Sequence, residues 1–195
     1  MKIDELELNE GIHDPHTYKA LFIVGGPGSG KTFIGKKLSG GTGLVSINID
    51  DFSEMFMKKT NTKDSSSFKD KSSYLVNKRK NISINEGLGL LIDGTGRDYN
   101  KIEKNYNKLK SLGYDSAMVF VNTDLDVALK RNNSRFRKED EDFLKTAHSN
   151  TMSNLGKFQN LFESNKFFVI DNTSESSFKE QFDNLWKNVQ KFKKG

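Results

Sequence analysis

The chain has 195 residues, fifteen Phe and 34% hydrophobic residues, which suits one domain (1–195) able to bury a substantial core. It has no cysteine, which excludes disulfides, thiolate metal sites and a Cys nucleophile. The polar start Met1-Lys2-Ile3-Asp4-Glu5-Leu6 is unlike a signal peptide, and no apolar run reaches membrane-spanning length, so no membrane association and a cytoplasmic location are expected.

A polar lead-in, residues 1–17, precedes the first apolar run, Ala20–Val24. Directly after it stands Gly25-Gly26-Pro27-Gly28-Ser29-Gly30-Lys31-Thr32, a complete G-x-x-x-x-G-K-[ST] loop, followed by a helical stretch to Leu38. Strand, glycine loop and helix in this order make a phosphate cradle: backbone N–H groups turn inward around a polyphosphate and the helix dipole adds to them. Lys31 would then reach the β- and γ-phosphates of ATP, and the Thr32 hydroxyl would hold Mg²⁺. The alternative, a glycine-rich turn with a chance lysine, leaves that order of elements unexplained.

The second apolar run, Leu44–Ile49, ends in Asp50-Asp51-Phe52. A carboxylate here can take the proton of a hydroxyl acceptor and orient its oxygen for in-line attack. Side chains alternate along a strand end, so one Asp points inward; Asp50 is read as the base and Asp51 as the cap of the next helix. A helical region, Phe52–Asn85, follows, interrupted by a polar loop at Thr60–Lys71. The third run, Leu88–Ile92, ends in Asp93-Gly94-Thr95-Gly96-Arg97. Asp93 would stand near Mg²⁺ or its waters, and Arg97 could clamp an anionic group of the substrate.

Helix Asn100–Leu112 leads to the fourth run, Ala117–Val121, and then to helix Leu125–Asn132, which Thr123 or Asp124 would cap. Arg131 and Arg135 lie four residues apart on one helical face and begin an arginine lid, residues 133–142, suited to neutralising charge during phosphoryl transfer. One helical region, Phe143–Phe162, precedes the last strand, Phe167–Ile170. Asn172 beyond it could hydrogen-bond the adenine edge or simply belong to a turn. A final helix, Phe178–Phe192, closes the chain. His13, His16 and His148 show no metal or triad spacing and read as surface or packing residues. Near-continuous apolar strands separated by helices predict an α/β fold: a five-stranded parallel sheet with helices on both faces, the three-layer sandwich of P-loop proteins.

Together these motifs resemble the zeta-toxin and polynucleotide-kinase branch of small P-loop kinases, over roughly residues 18–172. Leu91-Ile92-Asp93-Gly94-Thr95-Gly96-Arg97 is similar to the zeta-toxin pattern, which usually carries Glu at the Asp93 position. Asn48-Ile49-Asp50-Asp51-Phe52 and Lys130-Arg131-Asn132-Asn133-Ser134-Arg135 look more like phage polynucleotide kinase. The glycine loop and Asn154-Leu155-Gly156-Lys157-Phe158-Gln159 resemble kinase-like proteins of tailed phages, which would place the chain in a host cytoplasm.

The resemblance implies ATP-dependent phosphorylation of a hydroxyl, with Asp50 as base, Arg131 and Arg135 on the transferred phosphoryl, and Asp93, Thr95 and Arg97 toward the acceptor. Zeta toxins act on an amino-sugar nucleotide and polynucleotide kinases on 5′-hydroxyl ends. Polynucleotide kinase has Arg where Ser53 stands, and Asp93 is one methylene shorter than the zeta-toxin Glu. A small phosphorylated acceptor is the leading expectation, and nucleic acid the second, which Lys78-Arg79-Lys80 and Tyr74 support weakly. A non-catalytic nucleotide switch is the third. The sequence leaves an antitoxin partner undetermined.

Overall fold

The computed structural model describes residues 17–62, 64, 66–134 and 138–194. Most of the lead-in, His13 and His16, and the lid residue Arg135 lie outside them. Chain order is β1 (Lys19–Gly25), α1 (Lys31–Thr42), β2 (Val45–Ile47), α2 (Ile49–Thr60), α3 (Lys69–Asn85), β3 (Leu90–Gly94) and α4 (Tyr99–Ser111). Then follow β4 (Asp115–Asn122), α5 (Leu125–Asn133), α6 (Glu141–Ser153), α7 (Leu155–Phe162), β5 (Phe167–Asp171) and α8 (Glu175–Lys194). All strand pairs are parallel, in the order β2-β3-β1-β4-β5. This is the predicted α/β sandwich.

Alternation within β1 sorts the core into two layers. Phe22 and Val24 face a cluster with Ile102, Tyr106 and Leu109 of α4 and Phe158 and Phe162 of α7. Leu21 and Ile23 face the opposite cluster, with Ile34 and Leu38 of α1 and Leu185 and Val189 of α8. Phe22, Phe120, Phe158 and Phe162 are fully buried, each adding roughly 1.5–3 kcal/mol of hydrophobic stabilisation. Both faces of β1 are thus covered, which is why its sequence is apolar without interruption. Later strands add on both sides of β1, so its carboxyl end opens into the crevice where such sheets bind ligands.

Three elements differ from the sequence expectation. The second strand ends at Ile47, because Asn48 caps α2 by accepting the Asp50 N–H (2.9 Å). Asp51 is therefore not the cap; it stands in the first turn and accepts from Ser46 Oγ (2.9 Å). The region read as one helix, Phe143–Phe162, breaks between α6 and α7 at Asn154. Its side-chain amide is committed to the carbonyls of Gly96 (3.0 Å) and Arg97 (3.3 Å). Helix α1 continues past Gly40-Gly41 to Thr42, where Trp186 of α8 lies against it. Among the described residues no helix is long and apolar enough to cross a membrane.

Candidate active site

The loop Gly25–Thr32 joins the buried end of β1 to the first turn of α1 and is pinned from the ends of β4 and β5. Ser29 N–H donates to Gly26 O (3.2 Å), and the Phe33 and Ile34 N–H groups donate to Gly30 O (3.0 and 3.1 Å). Thr123 Oγ1, beyond β4, and Asn172 Nδ2, beyond β5, both donate to Ser29 O (3.1 and 2.7 Å). Gly30 has φ +87, and a Cβ there would run into Asn172 Nδ2. Asn172, read from the sequence as an adenine-edge or turn residue, lies against the phosphate loop. Its amide nitrogen braces the loop, because β5 ends beside Ser29. His148 of α6 packs over Gly26 and shares a hydrogen bond between Nε2 and Thr123 O (2.8 Å), the packing role expected of it.

The carboxylates gather on the other side of β1. Register places Asp93 beside Ile23, one residue before Gly94 pairs with Val24. Asn48 Nδ2 donates to Asp93 Oδ2 (2.9 Å) while Asn48 Oδ1 accepts the Asp50 N–H (2.9 Å). One side chain thus fixes both the start of α2 and the rotamer of Asp93. Burial pushes the Asp93 carboxyl up to about 6; Lys31 acts against this, while Asp50 and Asp51 add to it. Asp93, Asp51, Asn48, Ser46 and Thr32 line one cavity of ≈ 70 Å³. Asp50 does not line it; it is exposed at the mouth, close enough for its charge to act on Asp93.

Arg131, in the last turn of α5, reaches back to the loop, its Nη1 4.0 Å from where a Gly30 Cβ would stand. That nitrogen is buried and has no hydrogen-bond partner among the described residues. An unpaired buried guanidinium N–H is costly, and an anion in the loop would satisfy it. The Thr123–Asp124 alternative resolves to Asp124 at the cap position, without a side-chain cap bond, since Thr123 bonds the phosphate loop.

Thr95 and Arg97 are exposed beyond β3, and the Arg97 guanidinium lies 5.0 Å over the Phe143 ring of α6. A second pair, Arg79 over Phe52 (4.4 Å), stands at the start of α2, with Arg79 Nη1 donating to Ser46 O (3.3 Å). The Lys78–Lys80 cluster does not act as one surface, for Lys80 turns away to Asn105 Oδ1 (2.8 Å). Ser53, where polynucleotide kinase has Arg, is buried and donates to Ser72 Oγ (3.1 Å), holding α2 against α3.

Sequence reasoning assigned no role to Asn48 or Asn154, and it read Arg79 only as part of the basic run Lys78-Arg79-Lys80. The first had a readable signal, since Asn two residues before a helical Asp is a favoured cap. Asn154 and Arg79 act only through distant chain segments. Gly96 shows how tightly the loop after β3 is built: φ is +73, and a Cβ would run into Val24 Cγ1. Gly96→Ala is expected to destabilise the fold by about 3 kcal/mol, measured by urea unfolding; an unchanged midpoint would deny the close packing.

Comparison with known proteins agrees with this fold. The zeta toxin family model matches residues 4–193. No curated protein matches the chain in sequence. Among solved structures, a protein assigned as a kinase from Chloroflexus aurantiacus superposes with a TM-score of 0.65 at 18% identity, over 90% of this chain and 98% of that one. A chain of the PezAT toxin–antitoxin system of Streptococcus pneumoniae gives 0.62 at 18% identity, over 91% and 89%. The AvrRxo1-ORF1:-ORF2 complex with ATP gives 0.63 at 18% identity; the match covers 78% of this chain and 54% of that one. At these identities the structures show a shared fold, while the family model spans nearly the whole sequence: the chain belongs to the zeta toxin family, whose P-loop kinase fold implies a phosphotransferase.

Proposed function

We propose that the chain transfers the γ-phosphoryl group of ATP to a hydroxyl of a small phosphorylated acceptor, such as a nucleotide sugar, in the cytoplasm. One observation carries the reading. Lys31, Asp93 and Asp50 converge at the ends of β1 to β3, while the unpaired N–H of Arg131 lies beside Gly30. A phosphate-binding loop alone needs neither the exposed carboxylate at the mouth nor the arginine held over it.

In this reading the backbone of Gly25, Gly26, Pro27, Gly28, Ser29 and Gly30 wraps the phosphates and Lys31 holds the β- and γ-oxygens. Asp50 takes the proton of the acceptor hydroxyl as its oxygen forms a bond to the γ-phosphorus. The bond to the β–γ bridging oxygen breaks and ADP leaves. Arg131, and Arg135 from the lid, meet the charge on the transferred group. The Thr32 hydroxyl and the carboxylates of Asp93 and Asp51 form an all-oxygen donor set that fits Mg²⁺, which would neutralise phosphate charge when bound. Arg97 and Arg79, each laid on an aromatic ring, present cations toward the acceptor side, as a diphosphate-bearing substrate requires.

The test is transfer of labelled γ-phosphate from ATP to UDP-sugars and, in parallel, to a 5′-hydroxyl oligonucleotide, with Lys31→Ala as blank. Label on a UDP-sugar that disappears with Lys31→Ala is the expected result. Label on the oligonucleotide alone would overturn the small-acceptor reading, and ATP binding without transfer to any acceptor would return the chain to a nucleotide switch.

A further inference from the structure

The two flanks of α1 carry different chemistry. Toward β2 and α2, Thr32 and Lys36 line the carboxylate cavity, and Lys36 pairs with Glu54 (3.6 Å). Toward α8, the flank begins with Phe33, the residue directly after Thr32, and continues with Lys37. The Phe33 ring is 5.6 Å from that of Phe178, near the start of α8. Phe178 stacks on Phe182 (5.8 Å), and Phe182 on Trp186 (6.4 Å). Lys37 Nζ lies 5.1 Å from the Phe33 ring and 5.6 Å from the Phe182 ring. The lower rungs of this ladder are partly buried against the core, but Phe33 at its top is 53% exposed. Single exposed rings are ordinary on protein surfaces. This one stands at the rim of the phosphate loop.

Direction decides what reaches it. Asp50, Asp51 and Asp93 stand at the β2 and β3 side of β1, so a triphosphate in the loop turns its γ-end that way. Its nucleoside must then leave toward β4, β5 and the start of α8, the side on which Phe33 and Phe178 stand. Resting on the ATP reading above, we propose that Phe33, backed by Phe178, is the shelf on which the nucleobase stacks. An aromatic shelf supplies a π-face without reading the base edge. The amide nitrogen of Asn172 is committed to Ser29 O.

Calorimetric titration of wild type, Phe33→Ala and Phe33→Trp with ATP and with inorganic tripolyphosphate tests the shelf. Stacking predicts that Phe33→Ala weakens ATP about tenfold, leaves tripolyphosphate unchanged, and that Phe33→Trp retains wild-type affinity. Phe178→Ala, expected to weaken ATP in the same selective way, provides a second variant should Phe33→Ala melt early. Equal losses for ATP and tripolyphosphate would make Phe33 a support of the loop and overturn the proposal. So would unchanged ATP affinity in both alanine variants. Wild type that binds tripolyphosphate but gains nothing from the nucleoside would overturn the shelf alone; wild type that binds neither would overturn the kinase reading with it.

Discussion

Asp50→Ala is expected to lower kcat by about 10³-fold while leaving ATP affinity in place. Asp50 is exposed and stands outside the cavity lined by Thr32, Asp51 and Asp93, so an acceptor arriving from solvent could reach it. On the proposed reading its contribution would be made to the acceptor proton, and so to the transition state rather than to the nucleotide complex. The substitution preserves the fold, because the bond that starts α2 uses the backbone N–H of residue 50, which alanine keeps. Single-turnover transfer of labelled phosphate, with calorimetric titration of ATP, separates the two quantities. Lys31→Ala should lose both, since on the same reading its ammonium group would contact the phosphates directly. Loss of ATP affinity with Asp50→Ala would make Asp50 a ground-state ligand of the nucleotide, and the base would have to be sought elsewhere.

Asp93→Asn should remove activity and stabilise the free protein at the same time. Burial raises the Asp93 carboxyl from 3.8 to about 6, so the folded chain holds its proton more tightly than the unfolded chain does. Between those two values the folded state binds the extra proton. Stability therefore falls as pH rises through that window and stays lower above it. The cost of carrying the charge at neutral pH is on the order of 3 kcal/mol. Asn accepts the Asn48 amide hydrogen bond through its own carbonyl without that charge. Thermal melts in EDTA should show the variant more stable than wild type at pH 7 and equal to it near pH 4. Equal stability at both values would mean that Asp93 carries no buried-charge penalty. Transfer activity should fall at least about 10²-fold, as for loss of a fixed electrostatic contact to the reacting phosphates.

Much of this was determined by sequence alone, for a physical reason: the signals are local. Five apolar runs give five parallel strands, and the central β1 and β4 are nearly uninterrupted because a strand covered on both faces has no polar side. The phosphate loop is legible because its glycines, lysine and threonine are contiguous and its flanking elements confirm it. Acidic strand ends are legible because ligands gather at the carboxyl edge of such sheets. Tertiary structure alone decided which side chains serve the site directly and which hold it in place. Asn172 lies over the loop because β5 ends above Ser29, a distance of 143 residues in sequence. Asn154 breaks a periodic helix because carbonyls more than fifty residues earlier need its amide. Asp51 loses the cap to Asn48, since Asn48 can serve the Asp50 N–H and the Asp93 carboxylate at once. Phe33 carries no signal of its own in the sequence; its exposure beside the phosphate loop and its contact with Phe178 exist only once α8 packs against α1.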